Sequence, residues 1–458
     1  MTTAVRRAGA FAAVGTLVLV VPVFGAAVAA PLAVAILVGA AFVTNGPVFE
    51  LFARPGDREE NRLYGLIGFV LAVAGLGLLT TASVLTTGDA PELPLSVFVG
   101  TVLLLVYGNL CSAIVKQYRP DPFAVSTAFV AGGFLAGVIG QVVTVWLVDG
   151  SLAGAPLPKI AFLAASGAFL GALLRAALFE HDDSLVLFSV GLLTWLLTEL
   201  APEVHQQDVA AAIAVTLALG YISYALQTAS VEGMLTGVLL SVLTIVLGGI
   251  GWFAVLITFF GVGALATKFK YDEKADRGVA EENDGARGTG NVLGNAAVAL
   301  FAVLGYAAAD PEVGLVSVEQ GIFLYAFAGS LATALSDTLS SEIGCVYDDP
   351  ILVTTLERVE PGTDGAVTWQ GEIAGLTGAA LVAAVAFGAF EATGAGLPVS
   401  ATGAAVVLAA GVAGMTVDSL LGATLEGKVL GNQGVNFLAT LSGALVAAAA
   451  IVVTGGLA

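Results

Sequence analysis

Two short stretches hold most of the residues with which this chain can do chemistry. Ser336-Asp337-Thr338-Leu339-Ser340-Ser341-Glu342-Ile343-Gly344 closes one long apolar run, and Asp418-Ser419-Leu420-Leu421-Gly422-Ala423-Thr424-Leu425-Glu426-Gly427 closes another. Each sets carboxylates and hydroxyls where an apolar helix meets water. Hard oxygen donors without clustered His or Cys suit Mg2+, which takes one or two carboxylates and completes its shell with water and phosphate oxygens. Asp337, Glu342 and Asp418 are therefore the candidate catalytic and metal-binding residues. On an unbroken helix, Asp337 and Glu342 are separated by about 500° of rotation and face different ways. They meet one ion only if the helix unwinds before Gly344; otherwise they serve different ligands. Asp418 and Glu426 are about two turns apart, and Gly422 and Gly427 are possible breaks between and after them.

Between the clusters, Arg358 precedes Pro361-Gly362-Thr363-Asp364-Gly365. Pro-Gly and Asp-Gly call for positive φ at glycine, and such a turn can offer backbone amides to an anion. Arg358, Gly362, Thr363 and Gly365 are thus candidate phosphate-binding residues. Upstream, Gly285-Ala286-Arg287-Gly288-Thr289-Gly290-Asn291 opens an apolar run. A glycine-rich approach to a helix N-terminus favours anions, which adds Arg287 and Asn291. It is neither a P-loop nor a dinucleotide fingerprint. Asn295 and Asn436 fall about one turn inside entering helices, placed to orient a headgroup, and Lys428 follows the second cluster. Gly290-Asn291 with Asn295 is echoed by Gly431-Asn432 with Asn436, as in a parallel internal repeat.

The elements that must position these residues are membrane helices. Of 458 residues, 58% are hydrophobic and 11% charged, the composition of an all-α polytopic membrane protein. Apolar runs give about fifteen transmembrane helices, near 8–29, 31–50, 63–82, 94–114, 123–147, 158–179, 184–200, 209–227, 230–248, 251–267, 291–308, 318–336, 372–390, 400–418 and 434–454. Arg6-Arg7, an apolar stretch and Ala27-Val28-Ala29 resemble a signal peptide, but a second run starts at Pro31, so a retained first helix is expected. With the N-terminus in the cytoplasm, alternation puts every Lys and Arg except Lys159 inside. Both acidic clusters then lie at the cytoplasmic face of a cell membrane. The chain divides near residue 228: residues 1–228 form a membrane domain of about eight helices, and residues 229–458 form one of about seven with the long polar loops. In the first, Asn45, Asn109, Gln141 and Glu199 read as isolated packing or interfacial groups.

The net charge of −19 reads as adaptation of the exposed surface to high salt. It argues against a nucleic acid partner, since neutralising phosphates takes Lys and Arg. Cys111 and Cys345 are distant and make no zinc pattern with His181 and His205, which read as solvated loop residues.

The second half resembles the transmembrane-protein-19-like family of integral membrane proteins, long a domain of unknown function, which includes phytyl phosphate kinases. The resemblance rests on Ser230-Val231-Glu232-Gly233, the basic loop from Lys268 to Arg287, Asn291-Val292-Leu293-Gly294-Asn295, Ser336 to Gly344, Pro361 to Val367 with Gly371, Asp418 to Thr424, and Asn436-Phe437-Leu438-Ala439-Thr440. The family usually has Gln at position 291, Ala at 294 and commonly Ala at 336. A distant likeness to dolichol kinases and phosphatidate cytidylyltransferases implies nucleotide-dependent chemistry on a lipid. The resemblance implies an integral-membrane kinase. It would transfer phosphate from a nucleoside triphosphate, CTP or ATP, to an isoprenyl phosphate of the phytyl or geranylgeranyl type, with Mg2+ as cofactor. The rival reading is a secondary transporter, for which Glu232 is the main intramembrane charge.

Overall fold

The computed structural model describes residues 2–81, 91–177, 183–226, 229–280, 289–393 and 399–454. Arg287 and His181 lie outside them. Among the described residues, twelve helices are long and apolar enough to cross a membrane, with one bent pair and two shorter apolar helices besides. These stand where the sequence places its fifteen runs. The chain is a multi-pass membrane protein, folded as two compact units, Met1–Gln206 and Gln207–Ala458.

The first unit contains α1 (Thr3–Thr16), α2 (Val20–Phe24), α3 (Ala26–Phe42), α4 (Gly46–Phe52), α5 (Pro55–Glu60), α6 (Tyr64–Leu79), α7 (Leu95–Tyr118), α8 (Pro122–Asp149), α9 (Leu157–Ala177) and α10 (Asp183–Leu200). The second expected span is not one straight helix: α3 and α4 meet at 105°. The cause is Asn45-Gly46-Pro47. Gly46 has φ of 85°, and proline fits only the first turn of the helix that follows. Arg7 Nη1 donates to Ala53 O at 3.2 Å, so the chain leaves and returns at one end of this unit. At that end Asn109, one of the four residues read as packing or interfacial groups, joins a charged cluster. The Asp183 carboxylate accepts from Arg54, from Arg175 Nη1 at 2.6 Å and from Asn109 Nδ2 at 3.1 Å.

The second unit follows α11 (Gln206–Leu226) with α12 (Val231–Gly248), α13 (Ile250–Lys268), α14 (Tyr271–Asp276), α15 (Thr289–Ala308), α16 (Gln320–Gly344), α17 (Trp369–Thr393), α18 (Ala401–Leu425) and α19 (Asn432–Val453). A two-residue hairpin, β1 (Ile351–Leu352) against β2 (Ala366–Val367), pairs Ile351 with Val367 and Leu352 with Ala366 in the loop between α16 and α17.

Helix α16 is the axis. It is the most enclosed candidate span, with 78% of its apolar window buried, and α13, α15, α17, α18 and α19 all pack on it. Lipid supplies no hydrophobic force between helices, so close approach of small residues has to hold them together. A Cβ at Gly371 would stand 2.7 Å from Ser340 O, at Gly375 2.9 Å from Ser336 O, and at Gly378 2.9 Å from Leu335 O. This side of α17 therefore lies directly on the α16 backbone. Two hydroxyls reinforce the contact: Ser336 Oγ donates to Gly375 O at 2.8 Å, and Thr333 Oγ1 lies 3.3 Å from Ala410 O on α18.

Both acid-bearing helices run further than the apolar pattern suggests. Helix α16 continues unbroken to Gly344 and α18 to Leu425, so Asp337 and Asp418 sit inside helices rather than at their ends. Gly422 does not break α18; the chain turns at Gly427, with φ of 69°. Gly375→Leu is expected to force α17 off α16 and cost about 1–3 kcal/mol or more. Gly388→Leu, where a Cβ meets nothing within 4 Å, is the tolerated control. Thermal melting of both variants in detergent measures the difference.

Candidate active site

A cavity of about 380 Å3 opens at the end of the second unit where α16 and α18 finish. Asp337 and Glu342 reach it from α16, Asp418 from α18, Asn295 from α15 and Asn436 from α19, with Gly362, Thr363 and Gly365 from the loop after β1. Eight of the sequence-expected site residues thus line one cavity. Arg358 and Lys428 do not join them. Arg358 pairs with Asp349 at 3.4 Å, both well exposed. Lys428 Nζ donates to Thr424 O at 3.2 Å in the last turn of α18. Neither cation lines the cavity; each has a local acceptor. Asn291 belongs to the first turn of α15, its side chain undescribed, and Arg287 lies outside the described residues.

Asp337 and Asp418 come within hydrogen-bonding reach of each other across the α16–α18 contact. Asp418 Oδ1 is shut off from solvent and no donor reaches it. Two carboxylates in this position repel unless a proton or a cation lies between them. A hard divalent ion fits both observations. Among the described residues no three His, Cys, Asp or Glu side chains converge as a ready-made cage, so water and ligand oxygens would have to complete the shell, as Mg2+ prefers.

Glu342 has a different partner. The unbroken helix turns it away from Asp337, and its Oε2 accepts from Lys274 Nζ at 2.6 Å. Lys274 is fully buried. It also donates to Thr267 O at 2.6 Å and lies 3.3 Å from Ala266 O, which satisfies carbonyls left open at the end of α13. All three of its N–H groups are used. Glu342 is therefore a wall residue tied to a buried cation, not a second ligand beside Asp337. Nothing in the pattern of the basic loop from Lys268 marks Lys274 as the residue that turns inward.

The turn behaves as its residue types require. Gly362 has φ of 86° and Gly365 of 73°. Thr363 N donates to Glu360 O at 3.2 Å and Ala366 N to Thr363 O at 3.0 Å, closing two successive turns. A Cβ at Gly365 would collide with Ser419 O and Ala423 N of α18, so the turn is seated on that helix. Asp364 and Glu426, which the sequence-based set left out, complete an acidic rim. Burial pushes the Glu426 carboxyl above its usual range, and the nearby Asp364 and Asp337 carboxylates add to the shift. Among the described residues no Lys, Arg or His lines the cavity.

At the opposite wall the polarity reverses. Asn432 and Asn436, both in the cavity lining, belong to the first turns of α19, and Asn295 to the second turn of α15. Thr368 Oγ1 accepts from Gly371 N at 3.2 Å, capping α17, and lies 3.3 Å from Gly344 O. Helix N-termini and amides favour anions on this side, and the acids favour a cation on the other.

Residues 214–444 match the family described as integral membrane protein DUF92, and the span covers every cavity residue. The chain belongs to the DUF92 family. This is the membership that the motifs at Ser336 to Gly344 and Asp418 to Thr424 imply. An uncharacterized membrane protein of Synechocystis is 34% identical over 208 residues, 44% of this DUF92 chain and 76% of its own length. One of Methanocaldococcus jannaschii is 31% identical over 221 residues, 47% of this chain and 82% of its own. Protein VTE6, chloroplastic, of Arabidopsis thaliana is 34% identical over 223 residues, 48% of this chain and 64% of its own. No solved structure matches.

Breaking the buried pair in this DUF92 site discriminates between roles for Glu342. Lys274→Met alone strands the Glu342 carboxylate and is expected to cost about 3–5 kcal/mol, whereas Lys274→Met with Glu342→Met is expected to recover much of that loss. Melting curves of the single and double variants are the check.

Proposed function

We propose that the chain is an integral-membrane kinase that transfers the terminal phosphoryl group of a nucleoside triphosphate to an isoprenyl phosphate, giving the diphosphate and a nucleoside diphosphate. The reading places the reaction in residues 229–458, at the cytoplasmic face, with the N-terminus also cytoplasmic. Residues 1–228 are then an accompanying membrane domain. The observation that carries it is the pair of facing carboxylates, Asp337 and Asp418, in a cavity whose described walls hold acids and amides but no base. Such a cavity receives a polyanion only together with divalent cations. Its family membership and the resemblance to phytyl phosphate kinases point the same way.

In this mechanism Asp337 and Asp418 would hold Mg2+, which when bound offsets charge on the phosphates. The turn at Gly362, Thr363 and Gly365 lines the cavity and would offer its unused amides to the nucleotide phosphates. The amides of Gly362, Asp364 and Gly365 make no hydrogen bond among the described residues. Asn295 and Asn436 orient the acceptor phosphate at the ends of α15 and α19, where the helix dipoles favour it. Phosphoryl transfer needs positioning and charge stabilisation rather than a protein nucleophile, and among the described residues the cavity offers no Lys or His as a base. A secondary transporter would place ionisable groups near the bilayer midplane on broken helices. Here α16 and α18 are unbroken, and the acids stand within two turns of one end.

The purified protein with labelled ATP or CTP, Mg2+ and geranylgeranyl or phytyl phosphate should form the corresponding diphosphate. Asp337→Asn should lower turnover by at least about a hundredfold, the scale of losing one stabilising group in a preorganised site, while the protein still inserts and melts normally. Diphosphate formed at the wild-type rate by that variant removes Asp337 from the reaction. Nucleotide-independent uptake into proteoliposomes would favour the transporter.

A further inference from the structure

Among the described residues the cavity lining contains one aromatic ring, Tyr347. It lies beyond the end of α16, in the loop before β1, and is 37% exposed. Among the described residues the ring has no aromatic, cationic or hydrogen-bonding partner. No stacking or hydrogen-bonding contact within the described residues therefore explains its position.

The backbone that carries the ring is nevertheless fixed on both sides. Tyr347 N donates to Gly344 O at 3.1 Å, continuing the turn that ends α16. The next side chain, Asp348, accepts from Arg277 Nη1 at 2.9 Å, which ties the loop to the segment after α14. That segment also borders the cavity through Gly278 and Val279, and Val279 packs against Gly362 of the turn. A held, partly exposed ring at the rim of a site loses little freedom when a flat ligand stacks on it. Tyrosines that serve as membrane anchors face the lipid interface. Tyr347 instead faces the cavity and is followed directly by Asp348 and Asp349 in a polar loop.

From this arrangement we infer that Tyr347 is the platform on which the base of the incoming nucleotide stacks. This rests on the proposed kinase reading and adds to it the subsite for the part of the donor that is neither phosphate nor lipid. Every nucleobase has a π-face, so stacking would bind several nucleotides and strengthen affinity without strict choice among them. The triphosphate would extend from the ring past the Gly362–Gly365 turn toward Asp337 and Asp418. The polar loop around Tyr347 suits a ligand arriving from water, while the acceptor lipid approaches from the helix bundle.

The test is equilibrium binding to the purified full chain in lipid nanodiscs with Mg2+, using ATP, CTP and inorganic tripolyphosphate as probes. Tyr347→Ala should weaken both nucleotides about tenfold, the scale of one lost base–aromatic stack, and leave tripolyphosphate unchanged. Tyr347→Phe should bind all three like the wild type. Unaltered nucleotide affinity in Tyr347→Ala overturns the subsite. So does an equal loss for nucleotides and tripolyphosphate, which would mean that the loop itself was damaged. Wild-type protein that binds nucleotides no tighter than tripolyphosphate also overturns it. The kinase reading fails separately, if nucleotide binds but no phosphoryl group reaches the isoprenyl phosphate.

Discussion

Everything in the second unit depends on how closely other helices can approach α16. In a bilayer, apolar side chains gain nothing by leaving lipid for one another, so association rests on packing and on the few polar groups available. Here Gly371, Gly375 and Gly378 set α17 against carbonyls of α16. On the α18 side, a Cβ at Gly411 would come 2.9 Å from the Ala332 side chain. Helices brought this near carry their side chains with them, and Asp337 and Asp418 are forced together. The glycines and the acids are thus parts of one device. The small residues give the contact, and the contact creates an electrostatic demand that a cation can meet.

That demand is met unevenly across the cavity. Glu342 has a built-in counter-charge in Lys274, so its role is structural: it joins the ends of α13 and α16 through one buried ammonium group. Around Asp337 and Asp418 the described cavity wall carries no Lys, Arg or His, and Glu426 sits where burial and two neighbouring acids resist its ionisation. Facing them are the opening turns of α15, α17 and α19. A phosphate bound as a cation complex satisfies both sides at once, whereas a bare anion or a bare cation satisfies only one.

Much of this was legible in the residues. The hydroxyl-rich acid motifs, the positive φ at Gly362 and Gly365, and the paired Asn295 and Asn436 follow from residue type and helical spacing, which are local properties. The rotation between Asp337 and Glu342 left two outcomes open, a shared ion on an unwound helix or separate ligands on an intact one, and α16 is intact. What spacing cannot give is the identity of a partner far along the chain. Lys274 and Glu342 are 68 residues apart, and the basic loop that carries Lys274 does not mark which of its cations is the buried one. Arg358 and Lys428 have the right charge and are near the right motifs, yet loop geometry gives them nearer acceptors. The length of α16 was underestimated for a related reason: hydropathy marks where lipid contact ends, not where helical hydrogen bonding does. The Asp183 cluster escaped notice because its contributors, Arg54, Asn109 and Arg175, are scattered singly among apolar runs.

The central physical claim is that Asp337 and Asp418 together hold one divalent cation. Its most direct measurement is Mn2+ binding to the purified protein, followed by electron paramagnetic resonance with and without tripolyphosphate. The expected result is one bound Mn2+ per chain, tightened by tripolyphosphate and lost in both Asp337→Asn and Asp418→Asn. Mn2+ bound with undiminished affinity in the double variant would contradict the account.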